Sequence, residues 1–227
     1  MIIYFKNIKI KVNFILDKTI INYSFQSFLS NFFISINLKI DVLMIFILLS
    51  EFYVGVYTLV IIFFDGFLSI LFVLRDFLKP QINKLIYQKD YKKLLILKKY
   101  IQVRVFILIC LSSFLLLILY IPMIDLLNLN SLFKQNWYPL FTLLFALAIC
   151  SIIIPFNNIL ISLGNFKMHT YINAIVLLSN IFLNYYLIQF FELNGAAIST
   201  AISMLIGCLL IIIFNIRNKQ FNWILKF

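Results

Sequence analysis

Four stretches of this chain run without a single charged side chain: Val105 to Ile124, Tyr138 to Phe166, Thr170 to Phe191 and Leu193 to Ile216. Each reaches the ~20 residues that a helix rising ~1.5 Å per residue needs to cross a ~30 Å hydrocarbon layer. Across 227 residues, 64% are hydrophobic and the mean hydropathy is +1.06, which leaves little polar surface with which to face water. Two further apolar stretches, Ser27 to Leu49 and Val54 to Asp76, are interrupted by Lys39, Asp41 and Asp65. The expected fold is an all-α integral membrane protein with six transmembrane helices. They fall near residues 27–49, 54–76, 103–124, 139–163, 170–190 and 195–216, with a strap at 1–26 and a tail at 217–227.

A net charge of +11 would suggest nucleic acid in a soluble chain, so the placement of the cations decides the matter. With six spans, Arg75 and the connections on one side (1–26, 77–104, 164–169 and 217–227) hold 17 of the 19 Lys and Arg residues. Lys134 stands alone on the other side. By the positive-inside rule both termini are cytoplasmic, and no nucleic-acid partner is expected. Tyr53, Tyr57, Tyr120, Trp137, Tyr138, Tyr185 and Tyr186 fall at the outer helix ends, and Tyr23, Tyr100, Tyr171 and Trp223 near the inner ends. Interfacial aromatic belts have that pattern, although a Phe- and Ile-rich composition could produce it as well.

No cleavable signal peptide is visible, because Lys6, Lys9, Lys11 and Lys18 break up the first segment. Residues 82–98 mix Ile82, Leu85, Ile86, Leu94 and Leu95 with lysines. They read either as an amphipathic helix on the inner membrane surface or as an ordinary basic loop. Pro155 predicts a bend in the fourth span, with Asn157 and Asn158 meeting the freed carbonyls or lining a polar cavity. Cys110, Cys150 and Cys208 show no metal-binding spacing and read as free thiols, and no cofactor is implied.

Ionisable groups at bilayer depth cost at least ~2.5 kcal/mol each, so they face a partner, a cavity or the bundle interior. Lys39 and Asp65 fall at matching depth on adjacent antiparallel helices and can pair. Either they neutralise one another, or Lys39 offers its charge to a cavity that receives an anionic substrate. Asp41 projects to the opposite side from Lys39, so one of the two packs between helices. Asn173, Asn180 and Asn184, spaced by seven and four, share one stripe of the fifth span. That stripe either hydrogen-bonds neighbouring helices or lines a route for sugar hydroxyls. In the sixth span Gly195, Ser199, Ser203 and Gly207 recur at every fourth residue, a seam of small residues suited to close helix packing. His169, the one histidine, falls on the short turn beside Lys167, and no cluster of catalytic type is present, so no enzyme is expected.

Several of these residues also carry a resemblance. Lys39-Ile40-Asp41, Val54-Gly55-Val56-Tyr57, Pro80 with Tyr87 and Asp90, and Gly164-Asn165 come first in order. Asn180 and Asn184 with Leu187-Ile188 follow, and then Leu193-Asn194-Gly195-Ala196-Ala197-Ile198-Ser199-Thr200. In this order and spacing the chain, from about Lys18 to Arg217, resembles the C-terminal half of Wzx-type polysaccharide flippases, within the multidrug/oligosaccharidyl-lipid/polysaccharide exporter superfamily. The resemblance implies that the six spans are helices seven to twelve, one lobe of a two-lobed exporter, with the strap serving as the inter-lobe linker. It also implies a bacterial inner membrane and a polyprenyl-pyrophosphate-linked oligosaccharide substrate, moved by alternating access for O-antigen, capsule or other exopolysaccharide synthesis.

On that reading Lys39, Asp41, Asp65, Asn173, Asn180 and Asn184 are the candidate substrate-binding residues. The expected partners are the lipid-linked oligosaccharide, membrane lipids and an N-terminal six-helix lobe. Three alternatives stay open: a cation-coupled drug exporter or peptidoglycan-lipid flippase lobe with Asp41 or Asp65 as the coupling carboxylate, a membrane polymerase or acyltransferase of glycan assembly, and a truncated remnant.

Overall fold

A computed structural model describes residues 18–128, 133–134, 137–162 and 164–217. The strap up to residue 17 and the tail beyond 217 lie outside the described residues. Among the described residues every regular element is helical: α1 (Lys18–Asn37), α2 (Ile40–Leu48), α3 (Glu51–Tyr87), α4 (Tyr91–Leu126), α5 (Trp137–Cys150), a 3-10 turn (Ile154–Phe156), α6 (Ile159–Ser162) and α7 (Phe166–Arg217). Three of the helices are long and apolar enough to cross a membrane, and five spans result when each of the two bent pairs, α1 with α2 and α5 with the segment 154–162, counts as one. The architecture is that of a multi-pass membrane protein.

Apolar residues on α3 recur with the helical period at Tyr57, Val60, Ile61, Phe64, Leu68 and Leu71. They form the centre of the core with Leu140, Leu143, Leu144 and Leu147 of α5 and Ala196 and Ala197 of α7. α4 packs along one narrow stripe (Val105, Ile109, Tyr120, Ile124) and leaves Phe106, Leu108, Leu111, Phe114 and Leu115 exposed. Water would tolerate so continuous an apolar face poorly, whereas acyl chains match it.

α7 folds back on itself. Glu192 adopts φ 49° and ψ −126°, which breaks the helix into two arms. The arms pair antiparallel about that residue: Asn184 meets Ser199, Val176 meets Gly207, and Ile172 clusters with Ile211. The seam of small residues is the contact between them. A Cβ on Gly195 would land on the Leu187 carbonyl and 2.8 Å from the Ile188 nitrogen, so only glycine lets the arms approach this closely.

Three expectations are corrected. The first span does not run unbroken from 27 to 49: helix is already present at Lys18, is interrupted at Leu38–Lys39 and bends by 43°. No separate helix occupies 82–98. α3 continues to Tyr87 and α4 begins at Tyr91, with Lys89 at φ 55° in the turn and Asp90 capping α4 through the Lys93 amide at 3.2 Å. The reason is packing, since Ile82 and Leu94 are buried against Phe156 and Ile159 and extend both helices beyond their apolar windows. At 37 residues α3 is about 55 Å long, well over the ~30 Å it must span. The fourth span, expected at 139–163 with a bend at Pro155, does bend there: α5 stops at Cys150 and helix resumes at 47° to it. At this bend Gln102 of α4 donates to the Ile152 carbonyl at 2.8 Å, and Ser151 donates to the Ala148 carbonyl at the end of α5 at 2.6 Å. Finally, His169 lies within α7 and is buried rather than on a turn.

Candidate functional site: a buried polar seam between the first and last helices

The asparagines of α7 do not stand alone. Ser30 of α1, Asn37 at its end and Asp41 of α2 repeat the spacing of seven and four. The two stripes meet residue for residue: Asn173 donates to Ser30 at 2.7 Å, Asn180 to Asn37 at 3.1 Å and Asn184 to Asp41 at 3.0 Å. All three pairs are separated by 143 positions, so α1–α2 and the first arm of α7 run parallel with matched ladders.

The ladder converges on Asp41, which is 2% exposed. Its Oδ1 accepts from Asn180 and Asn184, each at 3.0 Å, and its Oδ2 accepts from Thr200 of the second arm at 2.5 Å. Ser199 donates to Asn184 Oδ1 at 2.5 Å, and Asn184 donates in turn to Asn180 Oδ1 at 2.7 Å. Neighbouring positions thus take separate jobs: Ser199 faces the first arm and Thr200 faces α2. Asn180 and Asn184 are wholly buried, yet each side-chain oxygen and nitrogen has a partner, as a low-dielectric interior requires.

Lys39 and Asp65 do meet, Nζ to Oδ2 at 3.4 Å, but on the open side of the bundle, with the Lys39 side chain 71% exposed. The break at Leu38–Lys39 sends Lys39 outward and Asp41 inward, so Asp41 is the one that packs between helices.

Beside the seam lies a cavity of about 130 Å³. Asn37, Asp41, Asp65, Asn157, Asn173 and Thr200 give it polar groups among Phe64, Leu68, Phe72 and Ile154. Of the six residues expected to bind substrate, Asp41, Asp65 and Asn173 reach this cavity. Lys39, Asn180 and Asn184 do not. Asn180 and Asn184 instead hold Asp41 in place, and Lys39 pairs with Asp65 at 3.4 Å. Ser30, Asn37, Thr200 and Ser199 were missed. The repeated spacing of Ser30, Asn37 and Asp41 is the signal that could have found the first two.

No protein-family model matches the chain, and neither the curated proteins nor the solved structures contain a significant match.

Proposed function

We propose that the chain is one lobe of an alternating-access flippase for polyprenyl-linked oligosaccharide. Its described helices correspond to helices seven to twelve, counting each bent pair as one span and the two arms of α7 as two. The observation that carries this reading is a carboxylate, Asp41, embedded in an apolar bundle with three donors and lining a mostly apolar cavity that also holds Asp65 and asparagine side chains. Polar groups at bilayer depth are costly to insert and mark routes for polar cargo. Transport on this reading requires a second lobe, whose rocking opens and closes the cavity. Lys39 sits at the exposed rim, where that lobe would close and where an anionic headgroup would pass. On this reading the membrane is the bacterial inner membrane and both termini are cytoplasmic.

Two carboxylates, Asp41 and Asp65, share the cavity. Their shared lining supports the second reading, a cation-coupled exporter lobe on the same scaffold. Coexpression with an N-terminal six-helix lobe, in a strain lacking its own flippase, separates the two. Restored surface display of a lipid-linked glycan supports the flippase, and drug resistance without display supports the exporter. A glycosyl or acyl product made from labelled donor by the purified chain would reject both.

A further inference from the structure

A second cavity, about 460 Å³, opens at the end of the bundle where α3 passes from apolar sequence into Arg75 and Lys79. Each wall presents polar groups one helical turn apart. α1 contributes Ser27 and Asn31, α3 contributes Arg75, Lys79 and Asn83, and the 154–162 segment contributes Asn158 and Ser162. Asp76 also reaches the cavity, but its carboxylate is engaged by Arg75 Nε at 3.0 Å and Nη2 at 3.3 Å. Arg75 Nη1 stays free for another acceptor, and Lys79 has no ion-pair partner among the described residues. The charged lining is therefore positive by one unit.

The fourth wall holds His169, which is 4% exposed. Asn173 Nδ2, which can only donate, reaches His169 Nδ1 at 3.2 Å, and Ser30 Oγ lies 2.7 Å from the same nitrogen. Nδ1 is therefore the acceptor, and the neutral ring carries its proton on Nε2. That nitrogen is buried and has no partner. His169, a residue of the cavity lining, thus carries an orphaned buried donor beside a guanidinium and an ammonium, and the one carboxylate there is already held by Arg75.

We propose that this cavity binds a phosphate oxyanion, with Arg75 and Lys79 supplying charge and His169 Nε2 donating a hydrogen bond. A phosphate presents several acceptor oxygens to these convergent donors, and Arg75 Nη1 can meet one of them while Asp76 holds the rest of the guanidinium in place. The volume leaves room for the body that carries the phosphate, whether a lipid headgroup or a diphosphate. This site adjoins the seam through the Asn173–Ser30 rung but uses none of the groups that hold Asp41, and it goes beyond the transport reading because it rests on Arg75, Lys79 and His169.

His169 is the one histidine, so the chain carries its own reporter. With 15N-labelled imidazole, a tag free of histidine and phosphatidylcholine nanodiscs, the Nε2 resonance is followed in two titrations. One adds inorganic pyrophosphate and the other replaces phosphatidylcholine with phosphatidic acid. The expected result is a saturable Nε2 shift with at least one probe, weakened tenfold or more in Arg75→Ala and in Lys79→Ala, intermediate in Arg75→Lys and unchanged in Lys134→Ala. A response to phosphatidic acid alone assigns lipid-borne phosphate, and a response to both assigns the phosphate group itself. No shift with either probe, or a shift that survives the Arg75→Ala/Lys79→Ala double variant, overturns the proposal. The Nδ1 resonance, held by Ser30 and Asn173, verifies that each variant is folded. Loss of this binding with intact glycan display would leave the transport reading standing, and the converse would leave the site standing.

Discussion

Thr200 donates to Asp41 at 2.5 Å across 159 positions of sequence, and this one bond ties the second arm of α7 to the break between α1 and α2. The other two donors to Asp41 come from the first arm, so the carboxylate fastens three helical segments at a single point.

Removing the Thr200 hydroxyl while keeping its shape leaves Asp41 short of its closest donor. A hydrogen bond to a charged group contributes about 1.5–3 kcal/mol. Thr200→Val should lower the thermal midpoint in detergent by several degrees, and Thr200→Ser should lose less than half as much. A Val variant as stable as the parent would remove Thr200 from the seam's energetics.

The glycines should respond in opposite directions. Gly195→Ala drives a methyl into the Leu187 carbonyl and should destabilise the hairpin by about 3 kcal/mol or more, in the range of severe single substitutions. Gly66→Ala meets nothing within 4 Å in the middle of α3 and should stabilise by about 0.5–1 kcal/mol. Paired melting curves read both, and equal effects at the two positions would contradict the antiparallel pairing of the arms.

Gln102 reaches from α4 to the bend at Pro155. Gln102→Leu leaves the Ile152 carbonyl without its donor, at a cost of about 1–3 kcal/mol. Hydrogen exchange should quicken at Ile153 and Ile154 while the protection of α5 persists. Unchanged exchange would show that another group meets that carbonyl.

An exposed ion pair contributes at most about 1 kcal/mol, so Lys39→Ala should leave the fold nearly as stable as before. In a two-lobed context the same variant should abolish glycan display, and Lys39→Arg should retain part of it. Full display by Lys39→Ala at normal protein level would take Lys39 out of the mechanism.

What could be read from the residues was local. The stripe of Asn173, Asn180 and Asn184, the small-residue seam and the depth match of Lys39 with Asp65 each follow from helical periodicity, and each pairs off in the structure. Periodicity also carried the partner stripe, Ser30, Asn37 and Asp41, but a common serine and asparagine raised no signal until a second helix with the same spacing lay beside them. Periodicity fails at 82–98 because lysines alternating with Ile and Leu suit both a surface helix and two helices that outrun the bilayer. Burial of Ile82 and Leu94 against Phe156 decides between them, and that contact spans more than sixty positions. His169 was misplaced for the same reason. Its partner Ser30 is 139 residues away, and no local pattern around Lys167 reveals it.

The parallel ladder has a consequence for how the protein is made. Asp41 leaves the ribosome well before its three donors, which all belong to α7. At 5–20 residues per second, about 10–30 s separate synthesis of the acid from synthesis of Thr200. During that interval the nascent chain carries a carboxyl group through the insertion machinery without its eventual neighbours. The seam closes only when the α7 hairpin arrives to cover it.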